Sequence, residues 1–226
     1  MSFKKFVGKL SDTLNIGSNA IKTIIKETNL YLNAELTVAK QSKEAISALK
    51  SYAESETEGL SAAINNLAES FEMIENSREQ KVAGIREEYV TPLEELLIAF
   101  ESQQKELRDA EKAKDNLEKA EKKLNKLEEK ASSKPLKPGV LDSAEADVKS
   151  AERIYTKKEE DAKLHAEAFN KKKLEILQLV LKKIVEIEIN YHKDVLSNIE
   201  SVKKTAKEIN IEKETKVVEP EDNLDE

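Results

Sequence analysis

The sequence predicts an all-α fold, a long antiparallel three-helix coiled coil, and three observations predict it. Charged residues make up 37% of the 226 positions and aromatics 4%, with five Gly and four Pro. Such a mixture, rich in helix formers and poor in breakers, is that of long helices and coiled coils. Apolar residues recur in steps of three and four along most of the chain, the signature of an amphipathic helix. No segment alternates polar and apolar residues long enough to form a strand with one wet face.

Three apolar ladders carry the periodicity. The first runs Ile21, Ile25, Leu32, Ala39, Ile46, Ala53, Leu60, Ile64, Leu67, Phe71, Ile74. The second runs Val82, Ile85, Tyr89, Leu93, Leu96, Phe100, Leu107, Leu117, Leu124, Leu127. The third runs Leu141, Val148, Tyr155, Ala162, Phe169, Ile176, Val180, Ile184, Ile187, Tyr191, Val195, Ile199, Val202, Ile209. Breaks are expected at NIGS (15–18), at ENSRE (75–79) and at SSKPLKPG (132–139), which holds two of the four prolines. Pro92 removes a backbone donor inside the second ladder. Because Val82, Ile85 and Tyr89 hold register upstream, a bend there is favoured over a helix start. The expected organisation is an amphipathic helix over 1–15, a three-helix domain over 18–210 and an acidic disordered tail over 211–226. Packed antiparallel, helices of this length make an elongated rod.

The first fourteen residues form a unit of their own. As a helix they place Phe3, Phe6, Val7, Leu10 and Leu14 in one arc about 100° wide, with Lys4, Lys5 and Lys9 outside it. This is the pattern of a helix that lies in a membrane interface. It is far short of the roughly 20 apolar residues that span a bilayer, and no secretory signal or transmembrane segment is evident. A cytoplasmic, peripherally membrane-associated protein is expected.

The third ladder exceeds what a three-helix core needs. Leu179, Val185 and Ile189 lie outside its main stripe, so the helix is apolar almost all round and must be covered on more than one side. Leu97 and Ile98 give the second ladder a similar excess. These five residues are assigned to a homodimer seam.

The net charge of −7 is unevenly distributed. Residues 26–80 carry five bases and ten acids, and 212–226 two bases and seven acids. Residues 119–137 carry seven lysines against three acids, and 157–183 eight lysines against five acids. Basic clusters beside an apolar wedge suit anionic lipid headgroups, each base adding about 1 kcal/mol near the surface. The expected headgroup set is Lys4, Lys5, Lys9, Lys119, Lys122, Lys123, Lys126, Lys130, Lys134, Lys137, Lys157, Lys158, Lys171, Lys172 and Lys173. Nucleic acid is a poor alternative partner, because only four arginines are present and no aromatics accompany the basic stretch.

Catalytic chemistry has no foothold. Cys is absent, and His165 and His192 are the only histidines, 27 residues apart. There is no glycine-rich phosphate loop, nucleophile elbow or metal-ligand cluster. No catalytic residue, metal or cofactor is assigned, and the chain is expected not to be an enzyme.

An amphipathic N-terminus, three long helices, a dimer seam and basic helix ends together resemble a BAR domain. The chain is most similar to the ciliary, Chibby-interacting BAR-domain family, through YAESET (52–57), LAE (67–69), VTPL (90–93), FNKK (169–172) and IEINYH (187–192). The resemblance implies a crescent-shaped homodimer that binds and bends anionic, often phosphoinositide-containing membrane. It also implies a small coiled-coil protein partner and a location at a ciliary base or on an organelle membrane. The rival expectation is a coiled-coil scaffold or tether that binds protein helices without touching lipid.

Overall fold

A computed structural model describes residues 3–208, with side chains from residue 10 to residue 207. α1 is Phe3–Ala53, α2 Glu58–Ile85, α3 Thr91–Ser133 and α4 Val140–Glu208. A π-helical turn, Arg86–Val90, joins α2 to α3 without a break, so these two and the turn form one long helix between α1 and α4. No strand occurs among the described residues. The all-α, three-long-helix expectation therefore holds.

Two of the three expected breaks are misplaced. NIGS does not interrupt α1, which runs continuously from Phe3 to Ala53. ENSRE lies inside α2, and the first helix ends instead at residues 54–57, within YAESET. Ala53 and Leu60 are seven apart, so the apolar rhythm crosses this turn unchanged and hides it. Thr57 leaves helical geometry at φ −59° and ψ 154° and begins α2. The turn after α3 falls where expected, with Gly139 at φ 81°, a conformation glycine adopts without strain. Pro92 does not start a helix. The π-helical turn ends two residues upstream, where the Thr91 amide and hydroxyl both donate to the Arg86 carbonyl. Residues beyond 208, and with them the acidic tail, lie outside the described residues.

The chain divides into two compact units, Met1–Ile25 with Leu93–Gln178, and Lys26–Pro92 with Leu179–Glu226. In the first, Leu14 and Ile21 of α1, Leu93, Leu96, Phe100 and Leu107 of α3, and Ala162, Ala166 and Phe169 of α4 are buried. Phe100 and Phe169 meet edge to face, 4.8 Å between centroids at 74°, a geometry that aligns ring edge and face quadrupoles. α1 comes close enough here that a Cβ on Gly17 would stand 2.7 Å from Phe100 Cε1. Asn15 accepts from Gln104 at 3.0 Å, and Lys22 pairs with Glu101 at 3.3 Å.

In the second unit the core is Leu32, Ala39, Ile46 and Ala53 of α1, Ala68, Ile74, Val82 and Ile85 of α2, and Val180 and Tyr191 of α4. Lys43–Glu79 and Lys50–Glu72, at 2.6 and 2.8 Å, tie α1 to α2 along its rim. Past the end of α1, Leu60, Ala63, Ile64 and Leu67 of α2 share an apolar groove with Val202, Thr205 and Ala206 of α4.

Candidate functional site

Beyond Leu179, α4 carries two apolar faces. One holds Val180, Ile184, Ile187, Tyr191 and Val195 and faces the core of its unit. The other holds Leu181, Val185, Ile189, Leu196 and Ile199, all exposed. At 100° per residue these five fall within an arc of about 80°. Val185 is 56% and Ile189 46% exposed. Between them and Leu196 lies an open groove of about 460 Å³, lined also by Ile184, Glu188, His192 and Lys193.

Of the expected seam residues, Val185 and Ile189 are therefore brought together on one face. Leu179 is exposed but lies about 120° around the helix from the middle of that stripe. In the other unit Ile98 is 67% exposed and Leu97 half-buried. Sequence periodicity placed Ile199 with the core ladder and passed over Leu196. It also passed over Tyr31 and Val38, exposed and seven apart on α1. The available signal was the 181–185–189–196–199 spacing, a second heptad-like series offset from the first.

Beside this face the second unit buries a charged cluster. Lys81 is 3% exposed along its side chain, yet its ammonium donates to Tyr31 Oη at 2.8 Å and Glu35 Oε1 at 2.9 Å. It also stands 4.4 Å from the Tyr191 ring centroid and 4.0 Å from Glu188. Arg78 donates to Glu35 and, at 2.8 Å, to Glu75. Burial pushes the Glu35 carboxyl up, but hydrogen bonds from Tyr31, Lys81 and Arg78 outweigh it and hold the pKa at about 2. Burial alone would lower Lys81 and Arg78; their oxygen partners raise both. Burial and the Glu35 carboxylate raise Tyr31. The ENSRE stretch, expected to be a break, runs through this cluster as helix, with Glu75 and Arg78 both partnered in it.

The expected headgroup lysines separate by surroundings. Lys119, Lys122, Lys126, Lys130, Lys134 and Lys137 are exposed around the α3–α4 turn, and Lys123 there pairs with Asp147 at 3.0 Å. On α4, Lys157 and Lys171 lie opposite the buried face of Ala162, Ala166 and Phe169, to within about 40°. Lys149 and Arg153, which periodicity did not single out, continue that line at steps of four and share a surface groove with Lys157. Lys158 and Lys172 are exposed on the flank. Lys173 turns inward, its ammonium 5.9 Å from the Phe169 centroid and donating to Asn170 at 3.3 Å.

The N-terminal assignment needs one correction. Leu14 is 1% exposed and belongs to the core of its unit, so it is not part of an insertion face. Leu10 is half-buried. The side chains of Phe3, Lys4, Lys5, Phe6, Val7 and Lys9 lie outside the described residues.

His165 pairs with Glu106 at 2.7 Å and His192 with Glu188 at 3.6 Å. Among the described residues no cluster could hold a metal ion, and no helix is long and apolar enough to cross a membrane.

The BAR domain family matches residues 9–208. Solved structures of low identity share the fold. The amphiphysin BAR domain from Drosophila superposes with a TM-score of 0.76 at 15% identity, over 92% of this chain and 95% of that one. The N-terminal I-BAR domain of D. discoideum IBARa gives 0.57 at 18%, over 94% and 96%. The Hof1p F-BAR domain gives 0.56 at 9%, over 97% and 94%. No curated protein matches the chain. BAR domains are a non-enzymatic structural and membrane-binding fold, generally dimeric, cytoplasmic and peripheral to the membrane, where they sense or generate curvature. With 200 consecutive residues matched and the three-helix fold shared, this chain belongs to the BAR-domain family.

Proposed function

We propose that the chain forms a homodimer through the exposed face of α4 and, as that dimer, senses or generates curvature on anionic membranes. The carrying observation is the stripe of Leu181, Val185, Ile189, Leu196 and Ile199, standing in water on a helix whose other face already fills a core. Burying each such side chain contributes roughly 1.5–3 kcal/mol, and a second copy supplies a matching stripe. Headgroups are held by Lys119, Lys122, Lys126, Lys130, Lys134 and Lys137, and by the outward line Lys149, Arg153, Lys157 and Lys171. Lys123 contributes once released from Asp147. Phe3, Phe6, Val7 and Leu10 insert, flanked by Lys4, Lys5 and Lys9. YAESET supports the Chibby-interacting branch, hence a small coiled-coil partner, phosphoinositide-containing membrane and a ciliary-base or organelle location.

The rival reading is that residues 1–14 dock on a protein partner and the chain is a lipid-free tether. Liposome co-sedimentation with and without residues 1–14, at two salt concentrations, separates the two. Binding that needs the segment and weakens with salt supports membrane attachment. Absence of binding in both chains leaves the tether.

A further inference from the structure

One position in the apolar stripe of α4 is polar. His192 falls in the same arc as Leu181, Val185, Ile189, Leu196 and Ile199 and lines the same groove. Its side chain is 72% exposed in the single chain, so water solvates it there. We infer that His192 makes the association of two copies pH-sensitive: the dimer holds with the imidazole neutral and loosens when it is protonated. This rests on the dimer reading above.

Closing the seam takes the imidazole out of water. A lone polar residue in a helix–helix seam sets register at a cost in stability, and the cost is far greater for an ion than for a neutral ring. A two-fold interface repeats the same patch on both copies, so two imidazoles are covered at once.

The charges around His192 come from three helices. On α4, Glu188 Oε2 lies 3.6 Å from Nε2 and favours the protonated ring, while Lys193 beside it opposes protonation. The Tyr191 ring is 5.3 Å from the imidazole. Behind that ring α2 presents Lys81 and Arg78, at 4.4 and 5.7 Å from its centroid, and α1 presents Glu35 bonded to both. The nearest carboxylate, Glu188, also lies 4.0 Å from Lys81, so its charge is shared. A carboxylate one turn away is a small attraction; desolvation in an apolar seam dominates. The protonated form therefore favours the separated chains, and association weakens as pH falls.

Sedimentation equilibrium of the full chain at pH 7.5 and 5.5 tests this, alongside His192→Leu and His192→Asn. The wild-type dimer is expected to weaken severalfold at the lower pH, with both imidazoles of the two-fold seam contributing. His192→Leu should dimerise more tightly than wild type at both pH values. His192→Asn, polar but without a titrating ring, should keep a dimer whose affinity no longer changes. Equal wild-type affinity at both pH values, or a shift shared by the two variants, overturns the inference while leaving the dimer intact. A wild-type chain monomeric at both pH values overturns the dimer reading itself.

Discussion

The Lys81 ammonium on α2 donates to the Glu35 carboxylate on α1 at 2.9 Å, with only 3% of the lysine side chain exposed. A charge so placed is tolerable because Tyr31, Tyr191 and Glu188 surround it. Three helices thus meet at one register, and sliding any of them by a turn would strand an ion.

Removing one side of this cluster should be costly. Glu35→Ala leaves Lys81 and Arg78 facing each other without their shared carboxylate, and breaking a buried pair costs about 3–5 kcal/mol. Thermal denaturation should show Glu35→Ala well below wild type and Glu35→Gln between the two. Equal melting temperatures for wild type and Glu35→Ala would remove the register role.

The same carboxylate gives the unit an acid limit. Its pKa is about 2 in the fold and 4.5 as an ordinary glutamate. A depressed folded value means the unfolded chain binds the proton more readily, so the contribution is complete above about pH 4.5 and lost as pH falls toward 2. Urea denaturation at pH 5 and pH 3 should show wild-type stability falling, with a smaller fall in Glu35→Gln.

Gly17→Ala should destabilise the first unit. The added Cβ would meet Phe100 Cε1 at 2.7 Å, and that ring is held against Phe169. Overpacking of this kind costs about 1–3 kcal/mol, against up to about 1 kcal/mol gained in helix propensity. Adding Phe100→Leu should recover part of the loss. A Gly17→Ala chain more stable than wild type would mean that the helices separate freely here.

The double substitution Val185→Glu, Ile189→Glu should abolish the dimer. Each places a carboxylate where an exposed apolar side chain stands, and across a two-fold seam four charges would be added. Sedimentation equilibrium at micromolar concentration should give monomer with helicity retained. A persistent dimer would move the seam off this face.

Charge reversal at Lys122, Lys123 and Lys126 should remove most vesicle binding. At about 1 kcal/mol per charge near an anionic surface, three reversals outweigh what a short apolar wedge restores. Wild-type binding should fall with salt as the Debye length shrinks from about 10 Å at 0.1 M to about 3 Å at 1 M. Unchanged binding in the folded mutant would mean that these lysines only solubilise the helix ends.

Periodicity and composition alone determined the all-α class, the turn between Ser133 and Val140, and the excess of apolar surface on α4. Those are local properties, since helix period, proline and glycine act within a few residues of themselves. Tertiary structure decided where the first helix ends. The seven-residue step from Ala53 to Leu60 preserves the heptad through residues 54–57, whereas the charges of 75–79 look like a loop until Glu35 and Lys81 are beside them. It also decided which way side chains point. Leu14 is core because α3 and α4 complete its unit, and Lys173 turns to the Phe169 ring while Lys157 and Lys171 face water. The rotation of a helix about its own axis is set by what it packs against, and those partners lie tens of residues away in the chain.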